Sequence, residues 1–467
     1  MRPVPSMLAA AGLVAGLVAG LVAGLVALAP TVVVAQAEPL AAAPRAERVP
    51  DNVPATPPPP PPGASAQRDS ARARLGERLR LTLYTYGPGG AVFERFGHVA
   101  LAVEDSVTGE AVAYNWGMFD FNQPNFLGRF LTGDTRYWMA GYPVLVFNTA
   151  YAGDNRRIRA QRLALTPLER GAVAEYVAWN AAEENRYYRY DYYRDNCSTR
   201  VRDLLDWALG GALKRAWAAP HPAGLTWRGE TARVTDGSAS AYAGIELALG
   251  READRPVTLW DAAFLPDHLA DQLAHVRRPA VVAVPNGEAG ESASPLVMAD
   301  SVLFGSTRAP LPARPPLRWP VALLAGAALG ALLAGLATRG GKGGRRLAAG
   351  LAALWLLLGG VLGTALLLAG TVTRHAPYMG RNLALLQLHP GWLVAALLVP
   401  AALWRHGAPS PRARGMMAVL VLLSVAGLLA ALLPAWRQGG WEVPAAVLPV
   451  QLGLLAALWR PARDGTP

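Results

Sequence analysis

The chain has 467 residues, 52% of them hydrophobic, with 44 Lys or Arg against 33 Asp or Glu, a net charge of +11 and one cysteine. A lone cysteine excludes an internal disulfide framework. Only Lys214 and Lys342 are lysines, so the positive balance is an arginine bias of composition; nucleic acid is not an expected partner, and anionic phospholipid fits better.

Residues 1–37 read as an export signal. After Met1-Arg2 a long apolar run built on a Gly-Leu-Val-Ala repeat closes at Ala35-Gln36-Ala37, which has the small-x-small form of a signal-peptidase site and predicts a mature chain starting at Glu38. The run is longer than usual, and an uncleaved N-terminal anchor is the alternative. Both readings place the next segment outside the cytoplasm. Residues 38–78, with an unbroken proline run from Pro57 to Pro62, have too little apolar surface to offset ordering entropy and are expected to form an extended, disordered tether.

Residues 79–280 are long enough for one domain with its own core. Leu81-Thr82-Leu83-Tyr84-Thr85-Tyr86 reads as a strand, and the segments from His98 and from Glu110 flank Asp105-Ser106-Val107-Thr108-Gly109 as a hairpin. A turn near Val107 pairs His98 within a residue or two of Asn115, so that both side chains lie on one face. Thr166-Pro167-Leu168-Glu169 is a capping box that opens a helix running to about Asn185. Asn196 is a helix N-cap ahead of the apolar stripe Val201, Leu204, Leu205, Ala208 and Leu209, which stops at Gly210-Gly211. Cys197 thus falls in the first turn of a helix, where free backbone N–H groups and the helix dipole are expected to lower the thiol pKa.

An unpaired cysteine outside the cytoplasm is a chemical liability unless its reactivity is used. With a histidine on a neighbouring strand and a polar residue to orient it, this thiol has the parts of a cysteine acyl-transfer enzyme; the alternative is a small buried cysteine and a satisfied core histidine. The polar run Asp195-Asn196-Cys197-Ser198-Thr199 and the glycine before His98 favour the enzyme. His221, His268 and His275 have no partner at metal-ligand spacing, and neither a phosphate loop nor a His-Glu-x-x-His motif is present. No metal or cofactor is expected.

After a linker over residues 281–318, residues 319–460 contain apolar runs at 319–338, 347–372, 383–404, 416–433 and 443–459, predicting an all-α bundle of five transmembrane helices and a short tail at 461–467. Nine basic residues fall in the loops expected inside (Arg339, Lys342, Arg345, Arg346, Arg405, Arg412, Arg414, Arg460, Arg463) and six in those expected outside. The positive-inside rule therefore supports, without deciding, a cysteine domain outside.

Phe96-Gly97-His98, Tyr114-Asn115-Trp116-Gly117-Met118-Phe119-Asp120-Phe121, Tyr188-Arg189-Tyr190-Asp191, Asp195-Asn196-Cys197 and Phe264-Leu265-Pro266 resemble the periplasmic domain of the Lnb lipoprotein N-acyltransferases. The resemblance covers roughly Leu79 to Leu273. The order of histidine before cysteine is also similar to the circularly permuted papain-like fold of lecithin:retinol acyltransferase and NlpC-type relatives. It implies an α+β extracytoplasmic domain on the periplasmic side of a bacterial inner membrane, with Cys197 as nucleophile and His98 as base; Asn115 as the orienting group is a geometric inference.

The resemblance further implies a phospholipid acyl donor and a diacylglyceryl lipoprotein acceptor. Tyr190, Arg189, Asp195 and Asn196 are candidate substrate contacts. The cluster from Tyr187 to Tyr193, with Arg186, Arg189 and Arg194, is readable either as a lipid-headgroup surface or as ordinary strand packing. His375, Arg381, Asn382 and His389-Pro390 lie in or beside the second outward loop. The competing functions are a cysteine amidase or peptidase of cell-wall peptides and a non-catalytic membrane scaffold.

Overall fold

The computed structural model describes residues 66–278, 294–405 and 410–459; the expected export signal, the proline run and the terminal tail lie outside these. Seven strands, β1 (Leu79–Tyr86), β2 (His98–Asp105), β3 (Ala111–Met118), β4 (Arg136–Pro143), β5 (Ile158–Leu163), β6 (Tyr187–Arg189) and β7 (Val297–Phe304), form an antiparallel sheet in the order β6-β4-β3-β2-β1-β5-β7. Helices α1 (Ala66–Glu77), α2 (Phe126–Thr132), α3 (Val144–Gly153), α4 (Pro167–Ala181) and α5 (Cys197–Ala208) accompany it. The α+β class expected from the sequence is what the domain shows.

Alternation along β2 sorts its residues between two layers. Val99 and Leu101 pack with Trp116, Val177, Val201 and Leu205 under α4 and α5, whereas Ala100 packs with Tyr86, Phe147 and Tyr151 under α3. The hairpin register runs from Leu101 opposite Tyr114 to Glu104 opposite Ala111, as a turn near Val107 requires. The capping box forms as well: Glu169 N–H donates to Thr166 Oγ1 at 3.3 Å and Thr166 N–H to Glu169 Oε2 at 2.7 Å.

Two boundaries differ from the sequence reading. Helix α1 occupies part of the segment expected as a tether, and contacts with α4 hold it: Arg72 Nε donates to Glu175 Oε2 at 2.5 Å, and a Cβ on Gly171 would lie 2.0 Å from the Arg72 carbonyl oxygen. Backbones approach that closely only where glycine removes the side chain. Strand β7 lies inside the expected linker. It pairs with β5 and is fixed there by Asp300, which accepts from Arg159 Nη2 at 2.7 Å and Gln161 Nε2 at 2.8 Å.

Among the described residues, four helices after the sheet domain are long and apolar enough to cross a membrane, Trp319–Arg339, Gly341–Thr371, Ala384–Trp404 and Pro411–Leu432. The expected fifth, Glu442–Leu458, has 17 residues and is shorter than these. The third is two helical pieces, Ala384–Gln387 and Trp392–Trp404, because Pro390 has no N–H to continue the ladder. The helix ends expected outside meet the sheet domain: Arg318 pairs with Asp236, Arg374 N–H donates to the Thr132 carbonyl at 2.9 Å, Asn382 Nδ2 to the Leu247 carbonyl at 2.9 Å, and Tyr242 Oη to Glu442 Oε1 at 2.9 Å.

Candidate active site

Cys197 stands first in α5 because Asn196 caps that helix with all of its polar groups. Asn196 Oδ1 accepts from Ser198 and Thr199 N–H, both at 2.9 Å, while Nδ2 donates to the carbonyls of Tyr192 at 2.9 Å and Phe264 at 3.0 Å. The Ser198 hydroxyl donates to the Ala263 carbonyl at 2.7 Å. Asp195 closes the preceding loop through paired backbone bonds with Asp191, and its carboxylate holds Arg200, whose guanidinium lies 3.9 Å above the Tyr188 ring. Burial pushes the Asp195 carboxyl up to about 6, with the Arg200 charge opposing it. Asp195 and Asn196, candidates for substrate contact, are therefore engaged in fixing the loop that presents Cys197.

His98 is the first residue of β2, directly after Gly97. Gly97 has φ of 77° and a Cβ there would meet the Tyr86 carbonyl at 2.9 Å and the Pro266 ring at 3.5 Å, so glycine alone fits. The Phe264-Leu265-Pro266 segment thereby touches both the cap of α5 and the start of β2. Helix α3 covers the imidazole, with the Tyr151 ring stacked at 6.1 Å and 7° and the Phe147 ring at 6.2 Å. Asn115 donates from Nδ2 to the Ala140 carbonyl at 3.0 Å, and its side chain interacts with His98.

The two candidate reactive groups meet at Gly117. A Cβ on that residue would lie 3.8 Å from His98 Cε1 and 3.8 Å from Cys197 Cβ, so those two atoms are at most twice that distance apart. His98 belongs to the layer under α3 and Cys197 to the layer under α5; they come together only because both stand at the end of the sheet, where β3 bulges between Trp116 and Met118. The pairing of β2 with β3 stops at Leu101, and the backbone N–H groups of Val99, Ser198 and Cys197 act to lower the thiol pKa.

Burial nevertheless outweighs those donors and pushes the Cys197 thiol up, to about 11. This corrects the expectation of a depressed thiol pKa. Burial, then the Arg156 charge, pushes His98 down, to about 3, against the Asn115 bond that raises it. Each side chain still shows an edge to solvent. The resting pair is thus a neutral thiol beside a neutral imidazole.

Three residues of the site carried no assignment from the sequence. Gly117 had a signal, since a glycine within a strand marks a bulge or a close approach. Tyr151 and Arg156 had none. The Arg156 guanidinium lies 4.5 Å over the Tyr151 ring and donates from Nε to the Gly87 carbonyl at 2.8 Å, while its Nη2 is buried without a partner. Of the remaining candidates, Tyr190 stacks on Tyr137 at 4.3 Å and Arg189 donates to Asp134 Oδ1 at 3.2 Å. Tyr187 and Tyr188 are buried in strand packing and Tyr193 is buried against Trp227 and Phe264, rather than forming a lipid surface; Tyr192 is exposed and stacks on His375.

The second outward loop is docked beside this site. The Tyr378 hydroxyl donates to Asp191 Oδ1 at 2.6 Å, and the same oxygen accepts from Tyr193 and Arg194 N–H at 3.0 and 2.9 Å. His375 Nε2 donates to the Phe130 carbonyl at 3.0 Å, Asn382 is buried, and Arg381 approaches Glu252. His389 contributes a turn contact with Gly391 N–H at 3.0 Å.

Residues 70–228 match the family defined as the Lnb N-terminal periplasmic domain. No curated protein and no solved structure matches the chain. The matched segment contains β1 to β6, α2 to α5, His98, Asn115 and Cys197, and apolar helices of membrane-crossing length follow it. On that match residues 70–228 are an Lnb N-terminal periplasmic domain, in a chain whose later helices are long and apolar enough to cross a membrane.

Proposed function

We propose that the protein is a lipoprotein N-acyltransferase of a bacterial inner membrane, moving an acyl chain from phospholipid to the N-terminal amine of diacylglyceryl lipoproteins through a Cys197 thioester. The observation that carries this reading is the meeting of Cys197 and His98 beside Gly117, in a domain whose neighbouring loop belongs to apolar helices. The permuted papain-like relation is part of the same reading, supported by the packing of the Cys197 helix on the strand that carries His98.

Because thiol and imidazole rest neutral, His98 acts as a general base during attack rather than as the partner of a preformed thiolate. The Cys197 proton passes to the imidazole as sulfur bonds to the ester carbonyl carbon. A backbone N–H at the start of α5 helps hold the oxyanion. Collapse breaks the ester C–O bond, and His98 returns the proton to the departing lysophospholipid. The free α-amine of the acceptor then attacks the thioester carbonyl, giving the amide and restoring the thiol. Asn115 holds the imidazole in one orientation throughout.

Intact mass of the purified full chain incubated with phospholipid is the direct test. An acyl adduct confined to Cys197 is expected. Adduct-free protein with full N-acylation of lipoproteins in a strain dependent on Cys197→Ser would return the scaffold reading, and turnover of muropeptide in place of lipid would return the amidase.

A further inference from the structure

A run of half-buried aromatic rings leads away from the candidate site without hydrogen-bonding partners among them. It begins two residues past Gly117: Phe119 packs on Tyr137 at 5.2 Å and on Phe121 at 4.8 Å, Phe121 on Phe126 at 5.2 Å, and Phe126 on Phe130 at 6.3 Å. At the inner end, Tyr137 stacks on Tyr190, and both pack with Cys197 against the same core. At the outer end the run is helix α2. Its Phe130 and Thr132 carbonyls accept from His375 and Arg374, residues just past the end of the membrane-length helix Gly341–Thr371.

That attachment sets α2 at the level where the second membrane helix leaves the bilayer. Leu127 and Leu131, four apart on one face of α2, are 53% and 60% exposed, and Val372 at the helix exit is 75% exposed. Apolar side chains exposed at this level, backed by aromatic rings, have the character of an interfacial contact with lipid rather than with water. An acyl chain makes no hydrogen bonds, so a path lined by ring edges and faces suits it and disfavours a polar muropeptide.

We propose that Leu127 and Leu131 seat α2 in the outer leaflet, and that the aromatic run from Phe130 to Phe119 is the path by which an acyl chain of a bilayer phospholipid reaches Cys197. The inference rests on the Cys197 thioester reading and adds the route of the donor. It separates two properties of the enzyme: access from a bilayer depends on α2, whereas attack on a soluble ester does not.

The test compares two donors on the purified full chain, phosphatidylethanolamine vesicles and water-soluble p-nitrophenyl butyrate, with the Cys197 adduct followed by intact mass. In the double variant Leu127→Asn, Leu131→Asn, which changes only exposed side chains, acylation from vesicles should slow about ten-fold or more. Acylation from the butyrate ester should stay within about two-fold of wild type. Phe121→Ala, on the path itself, should also slow acylation from vesicles. Equal loss with both donors would make α2 a structural support, and no loss with vesicles would remove it from the path; either overturns the proposal. Unchanged vesicle acylation accompanied by loss of a dimer would assign the face to a second copy. A wild-type chain that forms no adduct from either donor would sink the Cys197 reading itself, a result distinct from all of these.

Discussion

At the head of α5, Asn196 makes four hydrogen bonds to backbone groups and Asp191 gathers three donors on one oxygen. Between the membrane-length helix Trp319–Arg339 and the shorter apolar helix Glu442–Leu458 the contact has almost no polar content: a Cβ on Gly326 would lie 2.4 Å from the Ala446 carbonyl oxygen, one on Gly330 2.4 Å from that of Pro449, and one on Gly453 2.3 Å from that of Gly330. Gly326 and Gly330 are spaced as in a small-xxx-small motif. In water the chain fixes a geometry by satisfying polar groups that would otherwise hydrate; in lipid, where apolar burial no longer discriminates, it does so by bringing backbones into contact. The first kind of region places the Cys197 sulfur, and the second carries the loops that dock against the first.

The sharpest break in that comparison is chemical. Cys197→Ser should lower acyl transfer by at least about 10³-fold while leaving the far-ultraviolet circular dichroism unchanged, and His98→Ala should cost about as much, with the double variant no worse than either. Asn115→Ala should be milder because it only frees the ring. Lipoprotein N-terminal mass spectrometry reads all four; additive losses would separate the two groups into independent roles.

Gly330→Leu should cost about 3 kcal/mol, since the added side chain must displace the Pro449 backbone. Thermal unfolding in detergent should show the loss, and an unchanged transition would dissolve the contrast between the two regions. Asn196→Ala should cost about 2 kcal/mol by leaving two N–H groups and two carbonyls without their partner. Denaturant unfolding should follow it, with activity falling further than stability because Cys197 is displaced.

The pH response sharpens the comparison at the site. With the thiol raised to about 11, alkylation of Cys197 by iodoacetamide should keep rising with pH beyond about 9. A plateau from mildly acidic to neutral pH would instead indicate a thiolate–imidazolium pair. His98 is held below its ordinary value of 6.5, so the unfolded chain binds the extra proton first. Its contribution to stability is present above pH 6.5 and is lost as pH falls toward about 3.

The smallest effect should come from Tyr378→Phe, which removes one hydrogen bond to Asp191 worth about 1 kcal/mol. Acyl transfer should fall a few-fold, through kcat more than KM, because the loop ahead of Cys197 loosens. Loss of KM alone would make Tyr378 a substrate contact rather than a support.

Signals confined to a few neighbouring residues were legible in the chain. The Asn196 cap, the Thr166 and Glu169 box, the hairpin register that puts His98 and Asn115 on one face, and most of the membrane helices follow from hydrogen-bonding reach and hydrophobic period, which act over one or two turns. Helix α1 and strand β7 were not legible, because their partners α4 and β5 are distant in sequence and supply the contacts that order them. Only the tertiary structure brought Cys197 to His98 across Gly117, laid α3 over the imidazole and set Arg156 beside it. The charge state of the thiol was decided there too: a helix N-terminus lowers a thiol pKa by a local field that the sequence discloses, whereas desolvation is the sum of everything packed around the sulfur, and here that sum is the larger.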